Sequence, residues 1–195
     1  MNADGGSGSR EPADTALPRP EDVTAFWRAA GRRKWFRKDA AFDREITARF
    51  LAVHEAAAAG RLSEWEATPQ GALALLLLLD QFPRNMFRGS ARAFATDPLA
   101  RAVAERAIAH GFDASVAGAE RAFLYLPFMH SENPADQERS LALWRQAGDG
   151  KNRKYAELHA GIIRRFGRFP HRNAVLGRAT TPEERAFLDA GGFAG

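Results

Sequence analysis

The sequence contains no cysteine among its 195 residues. This absence excludes disulfide scaffolds, thiolate zinc sites and cysteine nucleophiles. The sequence also has no run of alternating β-branched residues bounded by turns, so we expect no sheet. No apolar stretch is long enough to cross a bilayer, and residues 1–20 lack the apolar block of a secretory signal. We therefore expect no membrane partner and a cytoplasmic location.

Lysine is scarce among the basic residues. Of the 28 basic residues, only Lys34, Lys38, Lys151 and Lys154 are lysines, and the others are arginines. Arginine binds carboxylates and phosphates in two-point geometry, so this bias is compatible with anion binding. The codon composition of the source genome is an equally good explanation.

One basic segment, residues 32–38, includes the aromatic residues Trp35 and Phe36. Aromatic side chains among basic ones can bind nucleic acid by stacking and phosphate contact. The segment is short, however, and nothing else in the chain matches a nucleic-acid module. We favour the interpretation that the two rings anchor a turn to the core, and nucleic acid is disfavoured as a partner.

Residues 69–82 form the most apolar predicted helix. Thr68 is a good N-cap, Pro69 suits the first helical position, and Pro83 is expected to end the helix at Phe82. Because residues 72–79 leave no polar face, other helices must enclose this one. Asp80 lies one turn before the predicted end, where apolar packing gives way to charge.

Helix starts recur along the chain as a capping residue followed by proline, at Thr68, Asp97, Asn133 and Thr181. With glycines at plausible C-terminal positions, these starts predict an all-α fold of about eight helices. The predicted helices span residues 21–30, 39–59, 69–82, 97–110, 117–126, 134–147, 150–166 and 182–190. Short connections favour antiparallel hairpins packed around the central apolar helix. We expect one domain over residues 21–195 behind a disordered leader of residues 1–20.

Three polar segments, residues 81–85, 126–133 and 168–173, lie at predicted helix ends. If these ends meet, they form an Arg/His-lined cleft. Equally, the same polar groups can serve only to satisfy helix termini, which need hydrogen-bond partners when buried. The candidate ligand-binding residues are Asp80, Arg84, Asn85, Arg88, His130, Glu132, His159, Arg168, His171 and Arg172. A buried Asp80 requires a partner, and we expect Arg84 or Arg172 to supply it.

The five histidines show no local metal-binding signature such as His-Glu-x-x-His. We predict no metal and no cofactor, although a site assembled across the fold stays open as an alternative. Its ligands would be Asp80, His130, Glu132, His159 and His171. His54 and His159 fall beside apolar stripes, and a hydrogen-bonded structural role is the simpler interpretation of both.

Four longer motifs stand out together along the chain: Lys34-Trp35-Phe36, Leu79-Asp80-Gln81-Phe82-Pro83-Arg84-Asn85, Leu126-Pro127-Phe128-Met129-His130-Ser131-Glu132 and Arg165-Phe166-Gly167-Arg168-Phe169-Pro170-His171-Arg172-Asn173. In these motifs the sequence resembles the bacterial domain-of-unknown-function family 924. The resemblance runs from about Val23 to Gly192. It implies an all-helical fold of the tetratricopeptide-like superfamily and brings no activity, substrate or catalytic residue with it.

Three functions fit these observations. The one we favour is a binding protein whose Arg/His-lined cleft accepts a small anionic ligand or an acidic peptide. The second is an enzyme in which His130, His159 or His171 acts as an acid or base. The third is a structural or interaction scaffold without a ligand. The sequence predicts neither the ligand nor the oligomeric state.

Overall fold

The computed structural model of the protein describes residues 17–116 and 118–193, and these residues are helical with no strand. The predicted all-α fold is therefore confirmed. The helices are α1 (Pro20–Trp35), α2 (Ala40–Ala58), α3 (Pro69–Leu76), α4 (Phe82–Met86), α5 (Asp97–Ala109), α6 (Phe112–Ser115), α7 (Ala122–Met129), α8 (Pro134–Gln146), α9 (Gly150–Phe166) and α10 (Pro182–Asp189). The short α4 and α6 were not predicted. Most of the predicted leader lies outside the described residues, and the tetratricopeptide-like arrangement stays a prediction.

The core surrounds the most apolar stretch of the chain. Every residue from 71 to 83 is buried, as expected for a helix without a polar face. α3 packs against α1, α5 and α7. α8 packs on α7, and α9 packs mainly on α8, so the C-terminal helices build outward from the core.

A break in α1 explains the basic segment that follows it. Gly31 has φ of 73°, a conformation that favours glycine, and it interrupts the helix at the predicted end. Beyond the break, Trp35 Nε1 donates a hydrogen bond to Trp27 O over 2.6 Å, and the two indole rings stack with centroids 5.8 Å apart. Trp35 thus anchors the turn to the core, whereas Phe36 is exposed.

The prediction that Pro83 ends the central helix is wrong. α3 leads into a π-helical turn, Leu77–Gln81, which leads directly into α4, where Pro83 occupies an early helical position. Proline has no N–H, so it cannot bond to Leu79 O at α-helical spacing or to Leu78 O at π-helical spacing. Side chains reach both carbonyls instead, because Thr96 Oγ1 donates to Leu79 O over 2.6 Å and His54 Nδ1 lies 2.8 Å from Leu78 O. The structural role expected of His54 is confirmed.

The helix starts are mostly as predicted. Thr68, Asn133 and Thr181 each accept a hydrogen bond from a backbone N–H of the helix that follows. Asp97 is the exception, because it is already the first residue of α5 and Thr96 precedes it. Its carboxylate is therefore free to bind side chains from other elements.

The prediction of a helix over residues 117–126, closed by Pro127, is also wrong. α7 begins at Ala122, after a 3-10 turn, and continues through Pro127 to Met129. All of its residues from 123 to 129 are buried, so tertiary packing overrides the local preference of proline. Gln137 Nε2 donates to Met129 O and Ser131 O over 2.9 and 2.6 Å, which satisfies carbonyls at this helix end. His130 consequently lies at the buried C-terminus of α7.

Candidate functional site

Asp80 is the acidic centre of the site, and the π-helical turn places it in the core with 1% of its side chain exposed. Its carboxylate Oδ1 lies 2.8 Å from His130 Nδ1 and 3.1 Å from Arg84 Nη1, and its Oδ2 accepts a hydrogen bond from Gln81 Nε2. Burial alone would raise the pKa of Asp80, but Arg84 and His130 together hold it below its ordinary value. Asp80 is therefore an ionised carboxylate with three polar partners.

His130 meets Asp80 through one ring nitrogen only. Because the ionised carboxylate accepts, Nδ1 carries the proton, and a neutral ring then has its lone pair on Nε2. Burial lowers the pKa of His130, and Asp80 offsets this effect only in part. Nε2 has no hydrogen bond to a described residue and is not among the enclosed polar atoms. It is therefore at least partly accessible, on a side chain that is 16% exposed.

Arg84 is fully engaged by acidic partners. Its Nη1 and Nη2 donate to Asp97 Oδ1 and Oδ2 over 3.0 and 3.1 Å, a two-point pair, and Nη1 also donates to the carbonyl of Asp80. Burial lowers the pKa of Arg84, but Asp80 and Asp97 outweigh it and hold the pKa above its ordinary value. Of the two expected partners for Asp80, the structure selects Arg84.

Arg172, unlike Arg84, is buried without hydrogen-bond partners among the described residues. Its side chain is 8% exposed and makes no hydrogen bond to the described residues. The guanidinium carbon lies 4.6 Å from the ring centre of Phe94 and 4.5 Å from that of Phe169, and Nη1 is 3.9 Å from Asp97 Oδ2. Nε is enclosed without a partner, whereas Nη1 and Nη2 are not among the enclosed atoms. Burial, assisted by the positive charge of Arg84, lowers the pKa of Arg172 to about 10, so it stays charged at neutral pH.

Two neutral histidines adjoin this arginine. Burial lowers the pKa of His159 and of His171 to about 4, and the positive charge of Arg172 contributes to both shifts. His159 Nδ1 lies 2.7 Å from Tyr155 O, which confirms the hydrogen-bonded role expected of it, whereas His171 Nδ1 is enclosed without a partner. Both rings pack against Phe169 and Phe193.

Glu132 holds the segment after α9 in place. Its Oε1 accepts from the backbone N–H of Phe169 over 2.8 Å, and its two oxygens accept from Arg178 over 2.6 and 3.0 Å. Burial would raise the pKa of Glu132, but the hydrogen bond from Arg178 keeps it low. This carboxylate thus fixes the segment that carries His171 and Arg172, and it does not face them with a free oxygen.

The remaining three candidates have partners elsewhere. Asn85 Nδ2 and Arg88 Nε donate to the carboxylate of Asp43 over 2.7 and 2.8 Å. Arg168 Nε donates to Glu184 over 2.6 Å. These pairs tie neighbouring elements together, so we remove Asn85, Arg88 and Arg168 from the candidate ligand-binding set.

The convergence expected from the sequence thus takes the form of a continuous chain of contacts, which we call the buried cluster. Its members are His130, Asp80, Arg84, Asp97 and Arg172, with His159 and His171 alongside. It is largely enclosed rather than an open cleft. Surface cavities of about 370 and 600 Å³ are lined by other residues.

Sequence reasoning missed Asp97 and Phe94 as members of this site. An Asp-Pro pair has the same sequence signature whether the aspartate caps its own helix or binds an arginine from another one. Phe94 lies in a 3-10 turn, Ala91–Phe94, which the sequence analysis did not predict.

No group of three or more histidine, aspartate and glutamate side chains among the described residues is arranged to hold a metal ion. The alternative metal site is therefore not assembled in this part of the chain. Within the same residues, no helix is both long and apolar enough to span a membrane.

The fold and the site define an all-α protein with a buried carboxylate, histidine and arginine cluster. A family model described as bacterial protein of unknown function (DUF924) matches residues 23–192, and the chain belongs to this family. A solved structure of the protein of unknown function ATU0120 from Agrobacterium tumefaciens is similar, with 51% sequence identity and a TM-score of 0.85. The match covers 88% of this chain and 97% of that one. No curated protein matches the sequence.

Proposed function

We propose that the protein binds a small oxyanion, such as phosphate, sulfate or a carboxylate, through Arg172. The observation that carries this proposal is an arginine whose side chain is more than nine-tenths buried and whose guanidinium has no hydrogen bond to the described residues. Buried polar groups in folded proteins almost always have partners, and each one without a partner costs about 1–3 kcal/mol, more if it is charged. Such a group is compatible with a site whose partner is a ligand.

The contrast with Arg84 supports a ligand-binding role for Arg172 rather than a structural one. Arg84 donates to both oxygens of Asp97 at hydrogen-bonding distance, whereas Arg172 Nη1 lies 3.9 Å from Asp97 Oδ2, so Asp97 attracts Arg172 only through its charge. Phe94 and Phe169 can stabilise the cation through their ring faces, but a ring face does not satisfy in-plane N–H donors. Because Nη1 and Nη2 are the accessible atoms, we expect an oxyanion to bind end-on to them.

The enclosure of the buried cluster favours a small ligand over an acidic peptide. The side chains of Asp80, His130 and Arg172 are 1, 16 and 8% exposed. A peptide would need an open groove for its backbone, whereas one tetrahedral or planar oxyanion needs only the accessible atoms of Arg172 as donors.

The test is calorimetric titration of the parent protein with phosphate, sulfate, acetate and a triglutamate peptide at constant ionic strength. Arg172→Met removes the donors and keeps an unbranched side chain between the rings. Arg164→Met is the matched control, because Arg164 lies on α9 with 59% of its side chain exposed. We expect the parent and the control to bind an oxyanion and Arg172→Met to lose that binding.

Two results would overturn this proposal. If neither the small ions nor the peptide bind the parent, the proposal that Arg172 binds an oxyanion is wrong. If the peptide alone binds, the ligand is an acidic peptide rather than a small ion.

One observation favours an enzyme as the second candidate. A carboxylate on Nδ1 of a histidine with an open Nε2 is an arrangement used in general acid–base catalysis, and Asp80 and His130 have it. Ser131 is not the nucleophile of such a pair, because its hydroxyl donates to Asp136 over 2.6 Å. His130 Nε2 would therefore accept a proton from water or from the substrate itself.

Hydrolysis of acetyl phosphate, a small phosphorylated carboxylate, tests this candidate. Turnover by the parent that disappears in His130→Asn would support it. Equal rates for the two proteins, or no turnover above the spontaneous rate, would reject an acid–base role for His130 in this hydrolysis.

A further inference from the structure

The two ring nitrogens of His130 differ, because Nδ1 bonds to Asp80 and Nε2 has no hydrogen bond to a described residue. Nδ1 lies 2.8 and 3.1 Å from the two oxygens of Asp80. Nε2 carries a lone pair whenever the ring is neutral. An oxyanion placed against this lone pair would be repelled, whereas an N–H at the same position would donate a hydrogen bond to it.

The charged groups that act on His130 come from three separate elements. Asp80 comes from the π-helical turn, Arg84 from α4 and Asp97 from the start of α5. His159 comes from α9 and is affected electrostatically by both His130 and Arg172. With Asp80 and Asp97 negative, Arg84 and Arg172 positive and the histidines neutral, the buried cluster has no net charge.

An added oxyanion would leave this enclosed cluster with uncompensated negative charge. Charge in a poorly hydrated site is costly, and a titratable group that can neutralise it changes its protonation instead. His130 is the histidine best placed to do so, because Asp80 would face the new imidazolium directly. His159 and His171 pack against phenylalanine rings, and neither bonds to a carboxylate among the described residues.

We propose that the site takes up a proton together with the oxyanion, and that the proton resides on Nε2 of His130, between the ligand and the carboxylate-bound ring. This inference rests on the proposed function, since it describes how the anion bound by Arg172 is neutralised. On this inference, the protein binds the oxyanion and one proton together. Its affinity for a fully ionised oxyanion should therefore fall as the pH rises.

Calorimetry with sulfate separates this inference from the proposed function, because sulfate keeps its charge between about pH 6 and 8. Titrations at one pH in two buffers of different ionisation enthalpy give the number of protons taken up. We expect close to one proton per sulfate at pH 6.5 to 7. Where uptake is complete, the dissociation constant should rise by up to about tenfold per pH unit.

His130→Asn supplies the comparison, since asparagine can still donate to Asp80 and cannot titrate. It should bind sulfate more weakly, without proton uptake and with an affinity that does not change with pH. His110→Gln is the control, because His110 is exposed on the far end of α5 and bonds only to Arg106 O. That variant should behave as the parent does.

Each outcome has a distinct meaning. Sulfate binding by the parent without proton uptake overturns this inference and leaves the proposed function standing. Uptake that persists in His130→Asn assigns the proton to another group and also overturns it. No oxyanion binding at all overturns the proposed function itself.

A second readout covers the case in which His130→Asn fails to fold. Nitrogen chemical shifts of labelled histidine in the parent distinguish the neutral ring from the imidazolium. On sulfate addition, the Nε2 resonance of His130 should move to the protonated position. A resonance that keeps its neutral value under saturating sulfate would contradict the inference.

Discussion

Arg172 Nη1 lies 3.9 Å from Asp97 Oδ2, which is too far for a hydrogen bond, whereas Arg84 donates to both oxygens of that carboxylate. Asp97 therefore forms hydrogen bonds with Arg84 but only a longer-range charge interaction with Arg172. Arg84 completes a structural network with Asp80 and Asp97, whereas Arg172 is held mainly by aromatic rings. This difference leads to opposite expectations for their removal.

Arg84→Met should destabilise the protein strongly. The substitution leaves Asp80 and Asp97 buried with one fewer compensating charge each, and breaking a buried ion pair typically costs about 3–5 kcal/mol. Urea denaturation followed by circular dichroism measures the change. Arg49→Met, at a half-exposed arginine that pairs with Glu45, is the control and should change stability by less than about 1 kcal/mol. Similar losses in the two variants would contradict the structural role of Arg84.

Thr96→Val tests how the π-helical turn is stabilised. Valine keeps the shape of threonine but removes the hydroxyl that donates to Leu79 O over 2.6 Å in a buried position. We expect a loss of about 1–3 kcal/mol in the free energy of unfolding. Thr47→Val is the matched control, because the Thr47 hydroxyl bonds to Asp43 O within the same helix. If both variants lose the same stability, side-chain bonding to the turn is not what stabilises it.

Gly71→Ala should be destabilising although alanine is the better helix former. A Cβ at Gly71 would lie 2.0 Å from the backbone oxygen of Trp65, so the backbone would have to move. At Gly161 in α9, a Cβ meets nothing within 4 Å, and Gly161→Ala should stabilise by up to about 1 kcal/mol. Thermal melts of the two variants should therefore shift in opposite directions. A gain in stability for Gly71→Ala would show that the close approach to Trp65 is relaxed in solution.

The stability of the ligand-free protein should fall as the pH is lowered from about 6.5 to 4. Burial lowers the pKa values of His159 and His171 to about 4, whereas these side chains have ordinary values near 6.5 when the chain unfolds. The unfolded state then binds more protons within this window, so acid favours unfolding. Urea denaturation at several pH values in this range measures how the free energy of unfolding changes with pH. His159→Phe keeps an aromatic ring but cannot titrate, so its stability should depend less on pH. A parent protein whose stability does not change with pH would contradict the prediction.

The sequence predicted the helical fold well, because capping residues and glycines act locally. Thr68, Asn133 and Thr181 cap helices as their sequence context indicates. The errors at Pro83 and Pro127 have a shared cause. Local rules treat proline as a helix terminator, but distant side chains and dense packing compensate for its missing N–H here, and a local rule contains no information about such partners.

For the candidate site, the sequence analysis named several residues that lie together and included Arg84 among the two partners expected for Asp80, but it missed Asp97 and Phe94. Asp80, Arg84, His130 and Arg172 were all named, since buried charges at helix ends require partners. Arg84 donates to both oxygens of Asp97, a residue that directly follows Thr96, and Thr96 bonds back to the π-helical turn. That relationship spans separate elements, and helical periodicity does not reveal it.

The most direct test of this account is the free energy of unfolding of Arg172→Met, measured beside the parent with and without saturating sulfate. If Arg172 is a ligand-binding residue, the variant should be at least as stable as the parent without sulfate, because an unsatisfied buried donor has been removed. Sulfate should then stabilise the parent and leave the variant unchanged. A variant that loses about 3 kcal/mol or more without sulfate, together with a parent that gains nothing from it, would contradict the account.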